Sequence, residues 1–309
     1  MRPCALGVDI GGTKIQFAFV EEDGTVLYDR KIPTEAEKGG AQVLAKVLEG
    51  IGDMLRRSDR PVSGIGIGTA GQVDFETGTV VFAVDTLPGW TGTPLKAAVS
   101  ETFGLPVWVD NDVNVLALAE ARYGKPRYGQ FICLALGTGI GGAIYESGRI
   151  LRGTSGCAGE FGHMSVHYQG PVCSCGNRGC LELYASGSGI ARLAQERIRE
   201  RGWKVSWEPN AESVIAAWQA QDPYASEIVE EALQALGTAV AGLVHAFNPE
   251  AVLFGGGMAN AGALFFQRLA QICEQRTSPV MWKAVTLRPV SVGRHAGVIG
   301  AAAQVWHYR

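Results

Sequence analysis

The chain has 309 residues, enough for two domains of ordinary size and a large buried core. It is 47% apolar and 18% charged, with a formal net charge of −3, a near-neutral balance that gives no reason to expect nucleic acid as a partner. No run of 18 apolar residues marks a membrane span, and the Met1 end lacks the basic and apolar regions of a secretory signal, so a cytoplasmic protein is expected.

ALGVDI is an apolar strand leading into GGTK, and residues 15–32 alternate around Asp23-Gly24 as a hairpin. Residues 41–57 carry the helical period. VSGIGIGTAGQVD reads as a strand entering a glycine loop, and LPVWVDND as a strand ending in polar residues. Residues 113–123 form a helix that Asn111 or Asp112 can cap. FICLALGTGIGGAIYESGRI then repeats the opening pattern of apolar strand, Gly-Thr-Gly turn and apolar strand. Its G-x-G-x-x-G does not signal a dinucleotide fold, because AIYESGRIL is strand-like where that fingerprint requires a helix. Helices follow over 187–201 and 226–247, AVLFGGG is a buried strand, and residues 262–276 and 296–306 are helical. Two similar hairpins, one in each half, predict duplicated α/β lobes with a cleft between them. The expected division is a small lobe over 1–118, joined by the C-terminal helix 296–309, and a large lobe over 119–295.

Forty-two glycines are about twice the ordinary share. They cluster at Gly11-Gly12, Gly64 to Gly71, Gly137 to Gly142 and Gly255 to Gly257, which suggests several loops converging on one ligand. A nucleotide triphosphate needs backbone N–H groups aimed at its oxygens, and hydroxyl or carboxylate groups to manage Mg²⁺. DIGGTK supplies Asp9, Gly11, Gly12, Thr13 and Lys14; GTG supplies Gly137, Thr138 and Gly139; Gly255, Gly256 and Gly257 leave room for an adenosine. Any one of these is compatible with a plain tight turn, but the three together point to a nucleotide triphosphate. Asp9 fits holding Mg²⁺ through water, and Thr13 and Thr138 fit phosphate contacts. Lys14 either pairs with phosphate or is a solvated turn lysine.

Cys173, Cys175 and Cys180, with His163, are four ligands of the kind that suit tetrahedral Zn²⁺. A Cys173–Cys175 disulfide would be badly strained, and the alternative is three buried cysteines in a loop. Gly176 and Gly179 let the chain fold back on one ion. Four protein ligands close the site, so the zinc is expected to be structural. Cys4, Cys133 and Cys157 sit in apolar segments and are expected in the core. For a general base, Asp110, Asn111 and Asp112 stand at a strand-to-helix junction; Asp112 is either that base or only the helix cap, and Asp110 better suits a structural role.

DIGGTK, VDNDVN, EFGH and CSCGNRGCLE together resemble the ROK family of sugar kinases and sugar-responsive repressors, within the actin-like ATPase superfamily, over residues 5–303. The resemblance implies an α/β fold of two actin-like, ribonuclease H-like lobes, with a nucleotide and sugar cleft between them and a zinc loop at 163–180. It implies a hexose pocket formed by Gly71, Asn111, Asp112, Glu160, His163 and Glu182, with Asp112 as base, and a homodimer. The implied activity is ATP-dependent phosphorylation of the 6-hydroxyl of an aldohexose, glucose first. N-acetylmannosamine or N-acetylglucosamine kinases share these pocket positions. A ROK repressor would carry a helix-turn-helix domain ahead of a first strand that here begins by residue 5. A non-catalytic sugar regulator need not keep DIGGTK, Asp112 and GTGIGG. Two positions depart from the family pattern: Thr69-Ala70, where many members have Pro-Gly or Ala-Ala, and Thr86, where many glucokinases have Asn. The Thr86 loop is therefore where sugar choice is expected to differ.

Overall fold

The computed structural model describes residues 2–83 and 87–309, so Thr86 lies outside the described residues. The chain begins with β1 (Cys4–Ile10), β2 (Lys14–Val20) and β3 (Val26–Pro33), followed by α1 (Gly40–Arg57), β4 (Val62–Thr69), β5 (Gln72–Asp74) and β6 (Thr79–Phe82). Next come α2 (Leu95–Phe103), β7 (Val107–Asn111), α3 (Asp112–Tyr123), β8 (Gln130–Leu136), β9 (Ile140–Glu146) and β10 (Arg149–Ile150). The remainder is α4 (Glu182–Ala185), α5 (Gly187–Arg201), α6 (Ala211–Gln219), α7 (Pro223–Phe247), β11 (Ala251–Gly255), α8 (Gly262–Arg276), α9 (Pro279–Ala284), β12 (Thr286–Pro289) and α10 (Ala296–His307). No described helix is long and apolar enough to cross a membrane.

Local chemistry explains the elements. The β2–β3 turn uses Gly24 at φ +90°, and Asp23 Oδ1 accepts the Thr25 N–H at 2.9 Å. Helix α1 buries Val43, Val47, Ile51 and Met54, one apolar stripe at helical spacing. Helix α7 starts at an Asp222 cap with Pro223 in its first turn and stops at Asn248 in the left-handed region. Helices α2, α6 and α9 and the β5–β6 pair were not expected from the sequence.

The chain forms two compact units, residues 1–129, 144–158 and 291–309, and residues 130–143 with 159–290. The boundary expected at 118 falls inside α3, which is continuous to Tyr123, and α10 belongs to the first unit. The two main sheets have the same layout. One runs β3-β2-β1-β4-β7 and the other β10-β9-β8-β11-β12. In each, a hairpin opens the sheet and parallel strands extend it: β1, β4 and β7 in the first, β8, β11 and β12 in the second. This is the duplicated actin-like architecture.

The first unit corrects the reading of one glycine cluster. Gly64, Gly66 and Gly68 lie inside β4 rather than in a ligand loop. A Cβ at Gly66 would stand 1.7 Å from the Ala301 carbonyl oxygen of α10, and one at Gly7 of β1 would stand 2.0 Å from that of Val298. Gly300 makes the same allowance on the other side of α10, where its Cβ would meet the Val115 oxygen at 1.8 Å. These glycines let α10 lie between the sheet and α3 at backbone contact distance. Of the Gly64–Gly71 cluster, Gly71 stands in the loop beyond the strand, at φ +99°.

Gly66→Ala is expected to push α10 off the sheet and cost about 3 kcal/mol of unfolding free energy, read by urea denaturation. Gly242→Ala, in α7 with no heavy atom within 4 Å of the added Cβ, should instead stabilise by about 0.5–1 kcal/mol.

Candidate active site and metal centre

In the first unit, the carboxyl ends of three adjacent parallel strands gather the predicted residues. Asp9 pairs with Gly68 and Gly68 with Asp110, so β1, β4 and β7 end level. Open α/β sheets bind ligands at such an edge. The GGTK hairpin stands there, closed by the Gly11 N–H donating to the Lys14 carbonyl at 3.0 Å. Thr34, which the sequence reading did not single out, is fully buried against this turn. Its Oγ1 donates to the Gly11 carbonyl at 2.7 Å and its N–H to the Thr13 carbonyl at 3.0 Å. Asp9 is half-buried, with its carboxylate against Gly297 in the first turn of α10, where a Cβ would come within 2.4 Å of Oδ2. Burial pushes the Asp9 carboxyl up to about 6, a rise that Lys14 partly offsets.

The β7–α3 junction separates its three polar residues by role. Asn111 caps α3: Oδ1 accepts the N–H groups of Val113 at 2.8 Å and Asn114 at 3.3 Å. Its Nδ2 donates to the Gly71 carbonyl at 2.9 Å, which ties the loop after β4 to the helix start. Gly71 has no room for a side chain, since a Cβ would meet the Phe82 carbonyl oxygen at 2.7 Å. Asp112, the first residue of α3, accepts the Val113 N–H at 2.9 Å. Asp110 is buried and structural: Oδ1 accepts from the Asn111 N–H and Asn114 Nδ2, both at 2.8 Å. Its Oδ2 accepts from Arg152 Nε at 3.1 Å and Nη2 at 2.6 Å. Arg152, also missed from sequence, stacks 3.6 Å over the Phe75 ring and donates to the Tyr308 hydroxyl at 2.7 Å. The departure at Thr69 has a packing reason, for its buried hydroxyl accepts the Trp90 indole N–H at 2.9 Å.

The second unit gathers the other predicted loops in the same way. Gly255 of β11 pairs with Ala135 of β8, and Gly256 (φ +81°) lies against Leu136. The Gly255–Gly257 turn therefore stands beside the Gly137–Gly139 turn. The Gly137 N–H closes that turn on the Gly139 carbonyl at 3.0 Å. The segment after the cysteine loop grips the turn from outside. The Gly187 N–H donates to the Gly137 carbonyl at 2.8 Å, and Ser188 Oγ donates to the Thr138 carbonyl at 2.7 Å. Glu182, expected among the sugar contacts, accepts the Ile140 N–H on Oε2 at 3.0 Å. A Cβ at Gly139 would come within 2.4 Å of that oxygen, so glycine is required there.

His163, Cys173, Cys175 and Cys180 converge, with one ligand atom from each lying within 4.8 Å of the others. His163 Nδ1 is 3.7 Å from Cys173 Sγ, and Cys175 Sγ is 3.6 Å from Cys180 Sγ. Tetrahedral Zn²⁺ with Zn–S bonds of about 2.3 Å has sulfur–sulfur edges of about 3.8 Å, so this donor set fits zinc. Burial, then Cys175 and Cys173, pushes the Cys180 thiol up to about 12, whereas the Asn177 amide lowers that of Cys175. A divalent cation offsets the mutual repulsion of three thiolates. Gly176 (φ +88°) makes the turn between the cysteines, and the cysteines are all free thiols. With Nδ1 turned to the sulfurs, His163 Nε2 lies 4.0 Å from Glu160 Oε2, and Glu160 is exposed. Cys4 and Cys133 are core residues, but Cys157 is not: it is half-buried in a loop, with Sγ 3.3 Å from the Ser155 carbonyl.

The family model for the ROK family matches residues 5–307. A glucokinase of Halalkalibacterium halodurans is 36% identical over 307 residues, covering 96% of this chain and 92% of that protein. The crystal structure of a ROK hexokinase from Thermus thermophilus superposes with a TM-score of 0.83 at 32% identity, over 98% of both chains. A ROK family glucokinase from Streptomyces griseus, in complex with glucose and AMPPNP, gives 0.82 at 32% identity, over 97% of this chain and 98% of that one.

The Asp9 carboxyl is raised in the folded state, so its ionised form costs stability. That cost is absent below the ordinary value near 3.8 and complete above about 6. Asp9→Asn is expected to match the unaltered protein near pH 3.5. Through pH 4–6 it should gain on it, reaching up to about 3 kcal/mol at pH 7–8 by denaturant titration.

Proposed function

The chain belongs to the ROK family, and from that premise we propose that it transfers the γ-phosphoryl group of ATP to the 6-hydroxyl of an aldohexose, glucose first. Identity of 36% to a glucokinase, and likeness to a ROK glucokinase holding glucose and AMPPNP, support a sugar kinase. The observation that carries the mechanism is the division of labour at the β7–α3 junction. Asn111 makes the helix cap and Asp110 is committed to Arg152, and Asp112, which also accepts the Val113 N–H, opens α3 at the carboxyl edge of the sheet.

In this reading Asp112 accepts the proton of the 6-hydroxyl as its oxygen bonds to the γ-phosphorus and the bond to the ADP oxygen breaks. Asn111, Glu160, His163 Nε2 and Glu182 meet sugar hydroxyls, since carboxylates accept and a metal-bound imidazole donates from its far nitrogen. Gly71 lets backbone approach the sugar. Asp9 would hold Mg²⁺ through water, and the amides of Gly12 and Thr13 in the first turn and of Thr138 and Gly139 in the second meet phosphate oxygens, with Lys14 beside the first. Gly255–Gly257 lies against the adenosine. His163, Cys173, Cys175 and Cys180 would hold Zn²⁺, which would fix the loop that carries Glu160 and leads into Glu182. Free thiols suit a reducing compartment, so the reading places the protein in the cytoplasm. A homodimer belongs to the same reading through the family resemblance.

Asp112→Asn is expected to lower kcat by on the order of 10²–10⁴ with glucose affinity within a few-fold, in a coupled ADP-release assay beside calorimetry. Near-normal turnover would remove Asp112 from the base role. Running the same assay with N-acetylglucosamine and N-acetylmannosamine separates the two kinase readings. Elemental analysis should find one zinc per chain, lost in Cys173→Ser together with hexose binding. A preparation of the unaltered protein without zinc would refute the metal assignment.

A further inference from the structure

We propose that Thr34 is a positioning residue for the nucleotide, and that Ser188 is its counterpart in the second unit. Each ties down the carbonyls of a phosphate hairpin so that the hairpin's amides face outward. This rests on the kinase reading and adds to it a pair of residues outside the ligand-contacting motifs.

A glycine-rich turn is indifferent to charge until its peptide planes are oriented. Amides attract a phosphate oxygen and carbonyls repel it. In a trans peptide the C=O of one residue and the N–H of the next point in opposite directions. Holding the Gly11 carbonyl inward therefore turns the Gly12 N–H outward, and holding the Thr138 carbonyl does the same for the Gly139 N–H. Thr34 performs the first task with Oγ1 on the Gly11 carbonyl at 2.7 Å and its N–H on the Thr13 carbonyl at 3.0 Å. In the second unit, Ser188 donates to the Thr138 carbonyl from Oγ at 2.7 Å and from its N–H at 3.2 Å. The Gly187 N–H takes the Gly137 carbonyl at 2.8 Å, which turns the Thr138 N–H outward. The two devices are built alike, a hydroxyl and amide pair working on carbonyls, although one follows an edge strand and the other starts a helix. They differ in depth. Thr34 is fully buried, so its bond is shielded from competing water, whereas Ser188 is exposed.

The test uses the whole chain and measures AMPPNP affinity without sugar, glucose affinity, and kcat against KM for ATP. Thr34→Val keeps the shape and removes the hydroxyl; it is expected to weaken AMPPNP about tenfold, while Thr34→Ser restores binding to within about twofold. Ser188→Ala is expected to weaken it about threefold, and Ser188→Thr to restore it. Glucose affinity should stay within about twofold for all four, and KM for ATP should rise in step with the loss of AMPPNP affinity. A role confined to folding would lower the thermal midpoint yet leave the AMPPNP affinity of the folded protein unchanged, and that result overturns the proposal. If Thr34→Val does not fold, unchanged AMPPNP affinity in Ser188→Ala overturns it instead. Failure of the unaltered protein to bind AMPPNP would overturn the kinase reading itself, a different outcome from loss in the variants alone.

Discussion

A carboxylate buried to 2% exposure fixes the position on which the first unit's proposed chemistry depends. Uncompensated, the charge of Asp110 would cost several kcal/mol in the interior. Here four donors reach it: the Asn111 amide, Asn114 Nδ2 and two nitrogens of Arg152. The guanidinium is held in turn by the Phe75 ring and the Tyr308 hydroxyl. The junction between β7 and α3 is thus over-determined from the strand, the helix, the loop after β10 and the chain's last helix. Losing Arg152 alone would leave a buried charge without its partner, a cost of about 3–5 kcal/mol. A shift of the junction that parted Asp110 from these donors would carry a cost of that kind, and it would move Asn111 and Asp112 with it.

How much of this was legible in the sequence follows from the range of each interaction. The hairpins, α1, α3, α5, α7, α8 and α10 announce themselves through local periods and turn residues. The strand-to-helix switch at VDND was readable because caps are a short-range matter. Helix α2 runs through LKAAVSETF, too short and too weakly striped to stand out, and α9 is a single short turn-rich stretch behind Ser278. Arg152 and Thr34 belong to no pattern at all, since their partners lie 42 and 23 residues away. The glycines of β4 show a different limit. Glycine marks any backbone that something approaches closely, and composition does not say whether that is a ligand or, as at Gly66, the carbonyl of Ala301.

The cysteine loop was legible for the opposite reason. Few arrangements satisfy three thiols and an imidazole at once, so ligand type and spacing alone predicted the cluster that forms. Its consequence for Glu182 was not legible. That carboxylate follows Cys180 by two residues, and its Oε2 meets the Ile140 amide 42 residues earlier in the chain. An oxygen held by the hairpin constrains the direction of the other oxygen on the same carboxyl group. In the proposed reading Glu182 therefore connects sugar recognition to the Gly137–Gly139 turn through one rigid group, and a loop stapled by zinc gives that connection a fixed base.

The two sheets share one layout, yet their strand ends hold different kinds of stress. In the first unit it is electrostatic. Asp9 keeps a carboxyl raised to about 6 against the start of α10, and a protein selected for stability alone would place a neutral residue there. In the second unit it is steric, since Gly139 leaves only enough room for Glu182 and Gly256 sits against the Leu136 backbone. Packing glycines such as Gly7 and Gly300 carry no comparable charge, and they line strand and helix interiors rather than strand ends. Position relative to the carboxyl edge is thus what separates a residue tolerated for function from one tolerated for packing. By that criterion Asp9 and Gly139 belong with the proposed chemistry, whereas Gly66, which its sequence cluster grouped with Gly71, belongs with the core.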